Sequence, residues 1–238
     1  MQDQVKLGMN RTGLQMSPAD MKDLLETATE EVLGDPLAMA NLREEYIADA
    51  EPLGSVPPPG TVKGALQSGV KMLTGKHPEL FVDKLAERLA YERGGTRLYD
   101  GIIAKFNATA QDVPNVSLAE LTEIRNEEAA HFHLLAEALT KIGADPTAQT
   151  PSADLVGVET AGLMQAVNDP RTTFLDCLQV ALTAELTDVD AWGLLAQLAD
   201  ANGEEEMARS FRRALQEENE HLMKVRTWYQ DLLLDKIS

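Results

Sequence analysis

The chain has 238 residues, 44% of them hydrophobic, and carries a formal net charge of −18, enough apolar content for one large domain or a domain with an extension. That charge argues against nucleic acid and anionic membrane surfaces as partners, and the one cysteine, Cys177, excludes an intrachain disulfide framework and any four-cysteine metal centre. The N-terminus lacks an apolar signal region and no run reaches the ~18 residues a membrane helix needs, so a cytoplasmic protein is expected.

In chain order, residues 1 to 16 read as loose. Ser17-Pro18 with Asp20 resembles a helix start, a cap followed by proline in the first turn. That helix runs to about Leu33 and stops at Gly34; Asp35-Pro36 opens another that ends near Glu51. Pro57-Pro58-Pro59-Gly60 is an extended linker. Residues 61 to 74 form a short helix with Val62, Leu66, Val70 and Leu73 apolar and Lys63 and Lys71 basic. Residues 1 to 76 are thus expected to be a helical extension with a proline-rich linker, packing on a helical bundle built by the rest of the chain or on a neighbouring subunit.

His77-Pro78 begins a long helix, broken at Val113-Pro114-Asn115 before Ser117, an N-cap with Glu120 three residues on. Gly143 ends the next helix. Residues 143 to 172 hold Pro146, Pro151 and Pro170 around an apolar piece from Val156 to Val167. A connection of that length can carry the chain along a bundle and make the second and third bundle helices parallel. The expected fold is all-α, a four-helix bundle over residues 77–238 with a long crossover.

Each bundle helix carries an apolar stripe at steps of three and four. The first reads Leu85, Leu89, Glu92, Thr96, Tyr99, Ile103 and Phe106, and the second Leu121, Ile124, Glu128, His131, Leu135, Ala138 and Ile142. The third reads Leu178, Ala181, Glu185, Asp188, Trp192 and Leu195, and the fourth Phe211, Ala214, Glu218, His221, Val225, Trp228 and Leu232. Every stripe is interrupted mid-helix by an acid. A buried lone carboxylate costs several kcal/mol, so four converging in one core must take up protons or be neutralised by cations. Two divalent metals supply +4 against four glutamates, and the imidazoles add neutral nitrogen ligands.

Residues three apart on a helix share a face. Glu128-Ala129-Ala130-His131 and Glu218-Asn219-Glu220-His221 both have this spacing, and each follows a helix with one inward glutamate. Glu92 precedes Glu128 by 36 residues and Glu185 precedes Glu218 by 33. Placing Glu92 over Glu185 sets Tyr99 over Trp192, and placing Glu128 over Glu218 sets His131 over His221. The pattern is a duplicated helical hairpin with the site on its pseudo-twofold axis, and the candidate metal ligands are Glu92, Glu128, His131, Glu185, Glu218 and His221.

Over residues 78 to 236 this set resembles the ferritin-like superfamily, whose relatives include bacterioferritin, rubrerythrin, the ribonucleotide reductase small subunit and manganese catalase. The resemblance implies a di-iron or di-manganese carboxylate centre in which Glu128 and Glu218 bridge the ions. Glu92 with His131, and Glu185 with His221, are then the terminal ligands. Rubrerythrin adds a cysteine-ligated iron, which one cysteine cannot build, so an external reductant is expected. The extension is foreign to a plain bacterioferritin cage subunit, and a homodimer is the expected assembly.

Neighbouring residues carry further expectations. Asp188 is one turn after Glu185 and can orient His131 or His221 through the far ring nitrogen. Tyr91 can hydrogen-bond a ligand carboxylate. Tyr99 and Trp192 read as core aromatics more readily than as electron relays. Gly94-Gly95 either opens a pocket beside the metals or permits close helix crossing. Cys177 reads as a small buried hydrophobe, His133 as solvated, and Glu127, Glu217 and Glu220 as outer-face charges.

Carboxylate and imidazole ligands suit iron or manganese better than zinc. The leading expectation is a non-heme protein with two iron ions that reacts with dioxygen or hydrogen peroxide, of oxidoreductase, ferroxidase or peroxidase type. The alternatives are manganese catalase-like dismutation of peroxide, an oxygenase, and a metal-binding module without catalysis.

Overall fold

A computed structural model describes residues 12–27, 35–61, 77–110 and 113–237. The expected loose segment before Thr12, the end of the first helix beyond Thr27 and the short helix of residues 61 to 74 lie almost wholly outside the described residues. The chain divides into two compact units, one within residues 3–53 and one within residues 54–238. The first holds a short 3-10 turn, Leu14–Met16, and helices α1 (Pro18–Thr27) and α2 (Pro36–Asp49). Both begin at the expected prolines, and Asp35 caps α2 by accepting from the Leu37 amide at 2.9 Å.

The second unit contains α3 (Pro78–Thr109), α4 (Leu118–Lys141), α5 (Pro151–Asn168), α6 (Phe174–Asn202) and α7 (Glu205–Asp235). The architecture is all-α, with no strand among the described residues. Local chemistry sets the ends. Ser117 caps α4 through the Glu120 amide, Thr173 and Asp176 form a reciprocal capping box on α6, and Gly203 terminates α6 at φ +78°. The left-handed conformation at Gly203 lets α7 start two residues later without a side-chain clash. Part of the proline-rich linker belongs to this unit, since the Gly60 amide donates to the Gly143 carbonyl at 3.0 Å.

Helix α3 packs along α4, α6 along α7, and α3 against α6. Two apolar clusters define the directions. Phe81, Leu85 and Leu89 from the start of α3 join Leu135 and Leu139 from the end of α4, Trp192 and Leu195 from late α6, and Met207 and Phe211 from early α7. The other cluster joins Tyr99, Ile102 and Phe106 to Leu121 and Ile124, Phe174 and Leu178, and Val225 and Trp228. Helices α4 and α6 therefore run parallel, as the length of the connection between them allows.

That connection is more ordered than its prolines suggest, because α5 occupies 18 residues of it. Asp83 on α3 accepts from the Ser152 amide and hydroxyl at 3.0 and 2.7 Å. Lys105 on α3 donates to the carbonyls of Asp169 and Thr172, both at 2.8 Å. A Cβ on Gly101 would lie 2.7 Å from Val167, so the glycine lets α5 settle against α3. Covering a second face of α3 changes its stripe. Leu98 and Ile102 are buried there, while the expected Thr96 and Ile103 are half-buried. Cys177 is fully buried in the second apolar cluster, as a small hydrophobe would be.

Candidate metal centre

Between the two apolar clusters lies a polar layer built from the middle of α3, α4, α6 and α7. Glu92, Glu128, His131, Glu185, Glu218 and His221 converge in it, none more than 2% exposed. Two groups form. Glu128, Glu185, Glu218 and His221 offer ligand atoms all within 4.8 Å of one another, and so do Glu92, His131 and Glu218. Glu218 belongs to both groups, whereas Glu128 belongs only to the four-residue group.

Donors in the surrounding shell leave an inward set of atoms open. Trp192 Nε1 donates to Glu92 Oε1 at 2.9 Å, and the Tyr99 hydroxyl donates to Glu185 Oε1. Both histidines turn Nδ1 inward. His131 Nδ1 is 2.7 Å from Glu218 Oε1, and His221 Nδ1 is 3.2 Å from Glu218 Oε2. Glu92 Oε2, both oxygens of Glu128 and Glu185 Oε2 are buried and meet no hydrogen-bond donor among the described residues. Buried acceptors without donors are costly, and oxygens converging with imidazole nitrogens are the donor set that hard and borderline divalent cations take. The residues present fit two such cations.

Electrostatics point the same way. Burial holds the Glu92, Glu128 and Glu185 carboxyls well above the usual carboxylate range, and the charges of neighbouring acids add to the effect, opposed by Arg88 at Glu92, by a hydrogen bond with Glu92 at Glu128, and by His221 and Tyr99 at Glu185. Asp188 is pushed up to about 7 by burial, against the opposing charge of Arg88. Burial also opposes the charge on Glu218, but hydrogen bonds from His131 and His221 outweigh it and hold that carboxyl at about 2. Burial likewise disfavours the imidazolium, yet the bonds to Glu218 and the nearby acids raise both histidines to about 9.

A ferritin-like domain model matches residues 117–234. The helices of that segment bring three of the four core acids and both histidines into one layer. The chain contains a ferritin-like domain. Among solved structures it is similar to the bacterioferritin-related protein from Bacteroides fragilis, described as a dodecameric thioferritin, with a TM-score of 0.53 at 21% sequence identity. The match covers 71% of this chain and 96% of that one. Comparison with curated proteins finds no match.

Four neighbours of this site differ from expectation. Asp188 does not reach a histidine. Its Oδ1 lies 2.6 Å from Arg88 Nη2, and Arg88 Nε lies 2.9 Å from Glu92 Oε1. A buried guanidinium needs anions, and Asp188 is one of the two that Arg88 reaches. The far ring nitrogens go instead to Glu217, 2.8 Å from His131 Nε2, and Glu127, 2.7 Å from His221 Nε2. These two acids remain 49% and 38% exposed but curl over the site's edge. Tyr91 donates to the Ala184 carbonyl at 3.2 Å rather than to a ligand carboxylate, and its ring lies 3.9 Å beneath the Arg88 guanidinium carbon.

The signals for the missed residues are local. Glu127 and Glu217 each directly precede the glutamate of a Glu-x-x-His pair, so the repeat is Glu-Glu-x-x-His in both halves. Arg88 sits four residues before Glu92 on the buried stripe. His133 is exposed, as expected.

Gly95 and Gly94 separate cleanly. A Cβ on Gly95 would overlap Glu128 Oε2, so its bare backbone gives that carboxylate its place; Gly94 has nothing within 4 Å. Helix α3 continues through both without a break. A narrow apolar cleft lined by Tyr91, Gly94, Gly95, Leu98, Leu163 and Met164 opens beside them. No described helix is long and apolar enough to cross a membrane.

Proposed function

We propose that this protein binds two iron ions through Glu92, Glu128, His131, Glu185, Glu218 and His221 and uses them to react with dioxygen or hydrogen peroxide. The reading rests on one observation, that two groups of buried, inward-facing ligand atoms share Glu218. Held by these six residues, two ferrous ions would supply two electrons, sufficient with two protons to reduce dioxygen to hydrogen peroxide or hydrogen peroxide to two waters, and an external reductant would be needed to restore them.

The chain's own residues hold and orient. Glu127 and Glu217 accept a proton-bearing Nε2 from His221 and His131, which leaves each Nδ1 lone pair facing inward once cations displace the Nδ1 protons. Tyr99 and Trp192 fix one oxygen each of Glu185 and Glu92, so the second oxygen faces the centre. The apolar clusters above and below exclude water. The cleft beside Gly94 and Gly95 is an apolar route of the right chemistry for a small neutral oxidant. Manganese is the alternative metal, and the dodecameric state of the Bacteroides fragilis protein makes self-association an assembly to test.

The experiment is anaerobic loading with ferrous iron, then mixing with either oxidant while iron oxidation and oxidant loss are followed. Two irons per chain and consumption of an oxidant are expected. Iron retained with neither oxidant consumed would leave a structural metal site and overturn the reaction; peroxide turned over only by the manganese-loaded protein would replace it with dismutation.

A further inference from the structure

The two halves of the site are related by simple offsets. Adding 93 to a position on α3 gives its mate on α6, as Glu92 gives Glu185 and Tyr99 gives Trp192. Adding 90 on α4 gives the mate on α7, as Glu127, Glu128 and His131 give Glu217, Glu218 and His221. Among the buried ionisable residues of the layer, the repeat fails at two inward positions. Arg88 corresponds to Ala181, and Gly95 corresponds to Asp188. Those two exceptions touch each other, Arg88 Nη2 to Asp188 Oδ1 at 2.6 Å, with both side chains nearly fully buried.

We propose that Arg88 and Asp188 are positioning residues that make the two cation subsites unequal. A divalent cation then fills the subsite of Glu128, Glu185, Glu218 and His221 before that of Glu92, His131 and Glu218. The inference rests on the two-cation reading and adds an order to it.

Three observations carry the order. The four-residue group has one more ligand than the three-residue group. Glu92 Oε1 already accepts from Trp192 Nε1 at 2.9 Å and lies 2.9 Å from the charged Arg88 Nε, whereas its mate Glu185 accepts only from the neutral Tyr99 hydroxyl on Oε1. A fixed positive charge one carboxylate away opposes an incoming dication in a buried, poorly screened layer. Gly95 acts from the opposite side. Its missing side chain admits Glu128 towards α3, whereas a carboxylate, Asp188, occupies the equivalent place on α6. Asp188 in turn holds the guanidinium and limits its net charge, which keeps the weaker subsite usable.

The test is calorimetric titration of the metal-free full chain with manganese(II). Two events per chain are expected, with dissociation constants separated by at least about tenfold. His221→Ala should remove the tighter event and His131→Ala the weaker one. The double variant Arg88→Ala with Asp188→Gly, which copies the α6 and α3 mates into each place, should bring the two constants to within about threefold of each other. Two events of equal affinity in the wild type, loss of the tighter event in His131→Ala, or an unchanged gap in a double variant of wild-type helical content would overturn the inference while leaving two-cation binding intact. No binding by the wild type would overturn both. If the double variant does not fold, the two histidine variants decide.

Discussion

The hairpin of α3 and α4 and the hairpin of α6 and α7 carry the same pattern of candidate ligands, three in each, yet they are not equivalent. Each contributes one mid-helix glutamate, one Glu-Glu-x-x-His segment and one ring that donates to the other half's mid-helix glutamate. Only the first has a buried arginine, and only the first has a glycine where a ligand carboxylate leans in. Duplicated geometry brings two groups of buried ligand atoms together, and the departures from it make the two groups different.

The largest expected effect comes from the one residue both groups share. Glu218→Ala should reduce metal content from two ions per chain to none, whereas Glu92→Ala should leave the four-residue group and about one ion bound. Metal analysis after desalting checks both. Glu128→Ala should also abolish the pair, and His133→Ala should leave it intact, since that ring is exposed on the other side of α4.

Next in size is the response of the metal-free protein to pH. Glu92, Glu128 and Glu185 sit above their unfolded range, and Asp188 rises to about 7, so the folded state binds their protons more tightly than the unfolded chain. Stability from these groups is present at acid pH and lost as pH rises through the folded values. His131 and His221, raised to about 9, contribute fully below the free imidazole value near about 6.5 and lose that contribution as pH climbs through about 9. Glu218 acts oppositely, at about 2, and its contribution fades only as pH falls below the free carboxyl range. Urea midpoints of the metal-free protein should therefore decline steadily from mildly acidic pH to about 9, while metal affinity rises over the same interval because cations compete with protons. A midpoint that rises with pH would contradict the account.

The adjacent glycines give a sharper contrast of smaller size. Gly95→Ala should destabilise by about 1–3 kcal/mol and disturb Glu128, because the new methyl meets a carboxylate oxygen held in a packed layer. Gly94→Ala enters open space and should stabilise α3 by roughly 1 kcal/mol. Thermal unfolding of the two variants should shift in opposite directions. Smallest is the loss of a single donor. Tyr99→Phe should cost about 0.5–1.5 kcal/mol in the metal-free protein, because burial disfavours charge on its Glu185 partner, and thermal unfolding checks it.

Much of the bundle and its polar layer is legible in the amino-acid sequence. A carboxylate at a heptad position reserved for leucine is conspicuous, and all six such residues meet in one layer because stripe periodicity fixes which way a helical side chain points. Long side chains escape the same reasoning. Arg88, Glu127 and Glu217 reach their partners through several rotatable bonds, so backbone periodicity places their Cβ atoms but not their charged ends. Asp188 faces inward as the pattern requires, yet its partner depends on a buried cation that the stripe passes over. In the connection after α4, prolines mark the ends of α5 but not its anchoring on α3, which Asp83, Gly101 and Lys105 determine from a helix far away in sequence. The N-terminal unit follows different rules. None of the residues described in α1 and α2 is buried, so packing gives no register there.

The central claim, two cations held by buried acids that share Glu218, is tested most directly by anomalous diffraction from crystals of the metal-loaded protein. Two peaks per chain should appear in the layer between the apolar clusters, each within bonding distance of a different Glu218 oxygen. A single peak away from Glu218, or peaks only at surface carboxylates, would contradict it.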